Sequence, residues 1–274
     1  MDRDVSPSFS KIKRKASPIS SFPDQSSRQQ HHNTPVIADT SYSATVFDRH
    51  SVRQGLLRPS FNQLTIATWN VEGLTDEKII TLQRYMEIYD IHILCLQETH
   101  KPLSNYIVTE KDFLLILSGR ADTKEREFAG VGFLIAPTIR RSVYGFCQLS
   151  SRLACVKIRI PGGQLAILSC YAPHSGRDFE ERLQFFQDLT CFWRSISSYG
   201  PRICMGDLNS RLYCRFAGED DIIGDYMFQS RGEPNKFANR HLLMEFCSSN
   251  NLRIVNTFID RPIDQQILYR EFAT

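Results

Sequence analysis

Six polar residues stand out by type and by where the chain puts them. Asn70, Glu72, Glu98, Tyr171, Asp207 and Asn209 each follow a short apolar, β-prone run. Residues 64–69 deliver Asn70, with Glu72 two positions on, and residues 91–96 deliver Glu98. Residues 165–170 deliver Tyr171, and residues 203–205 lead through Gly206 into Asp207 and Asn209. A carboxylate directly after a buried strand is costly unless it is hydrated, paired or bound to a metal. Oxygen ligands of this kind suit a hard divalent cation, which takes one or two carboxylates and fills the rest of its shell with water and phosphate oxygens. On that chemistry Glu98 is the first candidate metal ligand and Glu72 the second. Asp207 can orient or deprotonate a water. Asn70, Asn209 and Tyr171 can donate hydrogen bonds to phosphate oxygens as charge builds on them. The chemistry this set suits is phosphodiester hydrolysis.

Each motif taken singly has a plainer explanation. Gly-Asp-x-Asn is ordinarily an Asx turn, a lone Glu98 would cap a helix at the surface, and Tyr171-Ala172-Pro173 would simply end a strand. The ordered set is what points to a site, because strand ends fix position while the loops beyond them leave room for a ligand.

The elements that must position these residues follow from periodicity. A helix is expected over residues 76–89, with Ile79, Leu82, Met86 and Tyr89 on one face and Asp76 as its N-cap. Further strands are expected at 113–118, 130–136, 153–160 and 165–171. Asp178 and Glu181 resemble a capping box opening a second helix, whose apolar face carries Phe179, Leu183, Phe186, Leu189, Trp193 and Ile196. Gly200-Pro201 stops it. A third helix is expected over 239–249, with Leu242, Leu243, Phe246 and Cys247 inward, followed by a last strand at 252–257. Hairpins mixed with helix-linked strands indicate a layered α/β fold.

The chain has 274 residues, 42% of them hydrophobic, enough for one sizeable core. Its formal charge is +3, with about +4 in residues 1–60, so the remainder is close to neutral. A protein that coats DNA carries a larger positive excess; a nuclease that binds locally and gathers carboxylates need not. Residues 1–60 are rich in Ser, Gln, His, Asn and Pro and are read as a disordered polar tail. Within it Lys11-Ile12-Lys13-Arg14-Lys15 is either a nuclear-localisation or nucleic-acid patch or merely a solvated basic patch. Nuclear placement is the expectation drawn from it. None of the eight cysteines is spaced as C-x-x-C, so a zinc site and a disulfide framework are poor readings and a reducing, intracellular compartment is expected. The sequence has no signal-like apolar start and no stretch near the ~18 apolar residues that span a bilayer; no membrane partner is expected.

Four motifs in order carry a resemblance. Thr68-Trp69-Asn70-Val71-Glu72-Gly73-Leu74, Leu96-Gln97-Glu98-Thr99, Tyr171-Ala172-Pro173 and Gly206-Asp207-Leu208-Asn209 resemble successive motifs of the endonuclease/exonuclease/phosphatase superfamily, over roughly residues 62–274. Gly130-Val131-Gly132-Phe133-Leu134-Ile135 is similar to the apurinic-endonuclease-like domain of non-LTR retrotransposons. So is the pattern Leu243-x-x-Phe246-Cys247-x-x-x-Asn251-Leu252-x-Ile254-x-Asn256-Thr257-Phe258, as is Tyr269-Arg270-Glu271.

The resemblance implies a four-layer α/β sandwich, two facing and mostly antiparallel sheets flanked by helices. It implies a Mg²⁺ ion (Mn²⁺ would serve) on Glu98 and Glu72, and phosphate held by Asn70, Asn209 and Tyr171. Asp207 would act on the water or leaving group, and DNA would be the substrate, nicked to expose a 3′-hydroxyl. Members of the family continue into a Gln-Ile-Asp-Tyr-like strand and a closing Ser-Asp-His motif, and this sequence ends at Thr274 before either. The domain at 61–274 is therefore expected to lack its final strands, and the chain to turn over slowly or not at all. No upstream histidine is a convincing replacement: His92 and His100 are read as structural or solvated, His174 as a loop histidine near the presumed site, and His241 as lying on a helix with no identifiable partner. The alternatives are an inactive remnant, or a cellular relative acting on abasic DNA or inositol phosphates.

Overall fold

The computed structural model describes residues 36–40, 63–101, 105–119, 129–196, 200–212, 214–226 and 239–260. Among them ten strands form two sheets. The larger sheet runs β1 (Val36–Thr40), β2 (Leu64–Asn70), β3 (Ile93–Gln97), β6 (Val131–Ile135), β5 (Leu114–Ser118), β4 (Asn105–Val108) in spatial order. The smaller runs β10 (Arg202–Asp207), β9 (Gly163–Tyr171), β8 (Leu153–Ile160), β7 (Val143–Ser150). Pairing is antiparallel except for β2 with β3 and β9 with β10. Those two parallel pairs matter most for the site, since parallel neighbours end at the same edge of a sheet.

Three apolar layers hold the stack. Between the sheets lie Ile66, Ile93, Cys95, Val131 and Phe133 from one side and Val156, Ile158, Leu165 and Ile167 from the other, all fully buried. On the outer face of the larger sheet, α1 (Asp76–Ile88) packs Leu82 and Met86 against Leu94, Leu96 and Leu134. On the outer face of the smaller, α2 (Phe179–Ser195) and α3 (Arg240–Ser249) pack Phe186, Leu189, Trp193, Leu243 and Phe246 onto Cys155, Leu168 and Cys170. The order helix, sheet, sheet, helices is the four-layer sandwich expected.

A buried polar bridge crosses between the sheets. Gln97 Nε2 donates to Ser169 Oγ at 3.1 Å, Ser169 Oγ donates to the Leu96 carbonyl at 3.1 Å, and Thr68 Oγ1 donates to Gln97 Oε1 at 3.0 Å. Because Gln97 and Ser169 are almost wholly out of water and satisfied, they fix the two sheets in one relative position.

Several local expectations need correction. Asp76 is the first helical residue of α1 and not its cap; Thr75 is the N-cap, its Oγ1 accepting from Lys78 N at 3.2 Å. Asp178 occupies the N-cap of α2 but makes no side-chain cap bond. Glu181 instead faces Arg177 at 3.3 Å and Arg152 at 3.8 Å, so no capping box forms. Phe179 is exposed, and Phe185 and Phe192 join the buried face in its place.

No strand forms at 252–257. Ile254 N donates once to the Ile222 carbonyl at 2.9 Å, and the chain then tightens into a 3₁₀ turn at Val255–Thr257 closed by Thr257 Oγ1 on the Ile254 carbonyl at 2.6 Å. Val36–Thr40, within the segment expected to be a polar tail, pairs antiparallel with β2, whose outer edge would otherwise offer unpaired backbone groups. The basic patch at 11–15 and Tyr269-Arg270-Glu271 lie outside the described residues. Strands β4 and β7 were not expected from the sequence.

Candidate active site

β2 and β3 end side by side, with Asn70 paired to Gln97, and β9 and β10 end side by side, with Tyr171 paired to Asp207. The two sheets face each other, so four chain ends open at one edge of the sandwich. Asn70 joins them. Its Nδ2 donates to Glu98 Oε1 at 2.7 Å and lies 3.3 Å from Asp207 Oδ2, linking residues 28 and 137 positions away. The Tyr171 hydroxyl lies near enough to Glu98 to feel its charge from the same side. Asn70, Glu98, Tyr171 and Asp207 therefore meet in one cluster.

Asn209 and Glu72 sit at its margin. Asn209 N donates to Asp207 Oδ1 at 2.9 Å, which is an Asx turn, so the plain reading of Gly-Asp-x-Asn and the functional one hold together. The Asn209 Nδ2 group is committed to the Ala172 carbonyl at 2.8 Å and braces the loop after β9. Glu72 is exposed; its backbone N–H donates to Asn70 Oδ1 at 3.2 Å, and its carboxylate is close enough to Glu98 to feel its charge.

The local backbone is held in conformations that side chains avoid. Glu72, Glu98, His100 and Asn209 have φ of 45, 52, 52 and 45°, four of the seven left-handed non-glycine residues described. Each stores roughly 1–3 kcal/mol that surrounding contacts must offset. Lys78 supplies part of that offset at the first turn, its Nζ donating to the carbonyls of Val71, Glu72 and Gly73 at 2.6, 2.9 and 2.8 Å. Gly73 N and Leu74 N bond back to the carbonyls of Glu98 and Thr99 at 2.7 and 3.0 Å, tying the first two motifs together.

Electrostatics follow from three acids sharing a small space. Burial pushes the Asp207 carboxyl above the ordinary carboxylate range, helped by the nearby Glu98 charge and opposed by hydrogen bonds from Asn209 and Asn70. Partial burial raises Glu72, with Glu98 adding to it and Lys78 opposing it. Burial and then the Glu98 charge hold the Tyr171 hydroxyl well above its usual range, so it stays a proton donor. Arg152 works the other way, its guanidinium 5.0 Å from the Tyr171 ring centre and Nη1 3.3 Å from the Tyr171 carbonyl.

Among the described residues no three His, Cys, Asp or Glu side chains converge tightly enough to enclose a metal by themselves. The donor set still fits a hard cation that keeps most of its waters, since such an ion needs one or two carboxylates. Glu98 and Glu72 offer these, and their mutual repulsion is what a cation would relieve. Two buried hydroxyls without a partner, Thr99 Oγ1 and Ser210 Oγ, directly follow Glu98 and Asn209.

Sequence reasoning passed over several supporting residues. His100, expected to be structural or solvated, has its Nε2 3.6 Å from Glu98 Oε2; adjacency to Glu98 was the available signal. His241 stacks on Phe179 with ring centres 6.0 Å apart, and His174 Nδ1 accepts from Gly176 N at 3.1 Å. His92 is buried and accepts from Thr65 N at 3.2 Å. Nothing in the sequence marked Lys78, Arg152 or Asn239.

Comparison with known proteins gives three kinds of match. Craniofacial development protein 2 of Bos taurus is 24% identical over 206 residues, which is 75% of this chain and 33% of that protein. Tyrosyl-DNA phosphodiesterase 2 of Bos taurus is 22% identical over 158 residues, 53% of this chain and 41% of that protein. The chain thus spans between a third and about two-fifths of the length of these relatives. The crystal structure of the Xenopus laevis APE2 catalytic domain superposes with a TM-score of 0.47 at 16% identity, covering 66% of this chain and 67% of that one. Residues 67–250, which hold every site residue above, match the Endonuclease/Exonuclease/phosphatase family, and the chain belongs to that family.

Proposed function

We propose that this site hydrolyses phosphodiester bonds with the aid of a divalent cation, Mg²⁺ or Mn²⁺, and that its substrate is DNA, cut on one strand. The observation that supports the reading is the Asn70 amide set between the carboxylates of Glu98 and Asp207, brought there from three separate strand ends. Glu98 would hold the cation, with Glu72 beside it as a second ligand. The cation, when bound, offsets charge on the phosphate oxygens.

The protein's own groups do the rest. Asp207, raised by burial, takes a proton from the attacking water, and Asn70 keeps its carboxylate aimed. The water oxygen bonds to phosphorus as the bond to the 3′-oxygen breaks, and that oxygen takes up a proton from solvent water, leaving a 3′-hydroxyl and a 5′-phosphate. Tyr171, protonated at neutral pH, donates to a phosphate oxygen. Asn209 acts through the loop it braces.

The finer reading, a nicking endonuclease of a non-LTR retrotransposon, draws its support from the sequence pattern at 243–258. A panel separates the substrates: supercoiled plasmid, abasic duplex, a tyrosyl-DNA conjugate and inositol polyphosphate, each with Mg²⁺. Plasmid nicking that Asp207→Ala abolishes supports the proposal. Equal nicking by both proteins contradicts the assigned site, and preferential turnover of another substrate replaces DNA. Failure to cut anything, with metal still bound at Glu98, favours the inactive remnant.

A further inference from the structure

We infer that Asn239 is a positioning residue for the candidate active site, cross-linking the loop that follows Tyr171 to the loop that carries Asp207 and Asn209. The inference rests on the phosphodiesterase reading only for its kinetic consequence.

Asn239 precedes α3 and is its N-cap, a place where asparagine ordinarily turns its side chain onto the helix's own first amides. Here it makes no cap bond. The side chain is instead almost completely buried, at 1% exposure, and spent elsewhere. Its Nδ2 donates to the Pro173 carbonyl at 2.8 Å and approaches the Leu208 carbonyl at 3.3 Å. Pro173 lies two residues after Tyr171, and Leu208 lies between Asp207 and Asn209. One amide group therefore bridges both loops. Its Oδ1 accepts from Arg182 Nη1 at 3.4 Å, and Arg182 Nε in turn donates to the Arg177 carbonyl at 3.1 Å, which fixes which way the amide faces.

The bridge stands where the sheet no longer does this work. β9 and β10 are hydrogen-bonded up to the pair Tyr171 and Asp207. Beyond them the loops meet through Ala172 N on the Asp207 carbonyl at 2.8 Å and Asn209 Nδ2 on the Ala172 carbonyl at 2.8 Å. Asn239 adds the outermost tie from a third element. A satisfied, buried amide holds such a junction tightly, and removing its donor leaves two carbonyls turned inward without a partner. Small displacements of supporting groups are expected to lower the rate of the chemical step more than substrate affinity.

The test uses Asn239→Asp, which keeps size and shape but replaces the donor with an oxygen, and Asn239→Ser, which keeps a residue type suited to a helix start but is too short to bridge. Amide hydrogen exchange is read at Ala172 and Asn209 in the loops and at Leu243 in α3, alongside Mg²⁺ affinity and kcat and KM for plasmid nicking. The expected result is exchange at Ala172 and Asn209 faster by about tenfold or more in both variants, with Leu243 unchanged. Mg²⁺ affinity is kept, and kcat falls about tenfold or more at constant KM. Faster exchange confined to Leu243, or loops that exchange as in the parent protein, overturns the inference. Should Asn239→Asp fail to fold, Asn239→Ser carries the same readouts. If the parent protein cuts nothing, the proposed function fails, while the exchange measurement still decides the role of Asn239.

Discussion

Asn70 illustrates how much one side chain carries when it lies between two acids. Its neutral amide donates to Glu98 and Asp207 without cancelling their charge, so both remain able to serve a cation or a proton. Replacing Asp207 with Ala is predicted to lower the rate of phosphodiester cleavage by about 10²–10³-fold or more, measured on plasmid in Mg²⁺. The same crowding of acids predicts a dependence of stability on pH. Asp207 has a higher pKa in the folded chain than the ordinary value near 3.9 for an unfolded one. The folded state therefore binds more protons between those two values, and stability falls as pH rises through that window. In EDTA, Tm should drop as pH is raised from about 4 toward neutrality, and Asp207→Asn should reduce the drop; added Mg²⁺ should restore stability to the parent protein. A Tm that rises over the same interval in both proteins would contradict this reading. Glu98 and Asp207 were legible in the sequence because each ends an apolar run. Asn239 was not, since a buried asparagine before a helix looks like any cap until its partners are seen.

At the scale of elements, legibility followed burial. The strands ending at Asn70, Glu98, Tyr171 and Asp207 were found because their residues face cores, on both sides in β3 and β6. β4 escaped because all four of its residues are exposed at a sheet edge, and β7 because two register shifts and a largely unburied face break its alternation. The apolar alternation of Leu252 and Ile254 suggested a strand, but both residues pack on the α3 side of the core, with one ladder-like bond between them and Ile222. Three substitutions test how the elements deliver the site. Gly206 has φ of 145°, and a Cβ there would lie 1.9 Å from the Cys170 carbonyl oxygen, so Gly206→Ala should destabilise by at least about 2 kcal/mol in urea unfolding. Thr75→Ala removes the α1 cap and should cost about 1 kcal/mol while leaving metal affinity intact. Lys78→Gln, by contrast, should weaken metal binding as well as lower stability, because Lys78 pins the carbonyls around Glu72 and offsets part of the strain there. Equal metal affinity in the Lys78→Gln and parent proteins would remove that loop from the account.

For the whole molecule, the site exists because two sheets are held face to face at a fixed offset. Their shared apolar layer supplies the attraction but little direction; Gln97 and Ser169 supply the direction. Ser169→Ala leaves the Gln97 amide short of a partner in a sealed interior and should cost about 1–3 kcal/mol, read by chemical denaturation. The sandwich itself was legible from hairpins, helix spacing and motif order, whereas this polar bridge was not, because a Gln after a strand carries no sign of what faces it. The membrane expectation concerns the same scale: among the described residues no helix is long and apolar enough to cross a bilayer. The central claim is that four strand ends build one cation site on Glu98. Titration of the purified protein with Mn²⁺, followed by electron paramagnetic resonance, tests it without relying on turnover. The expected result is saturable Mn²⁺ binding that Mg²⁺ displaces, weakened by about tenfold or more in Glu98→Gln. Unchanged binding in Glu98→Gln, or no saturable binding by the parent protein, would contradict it.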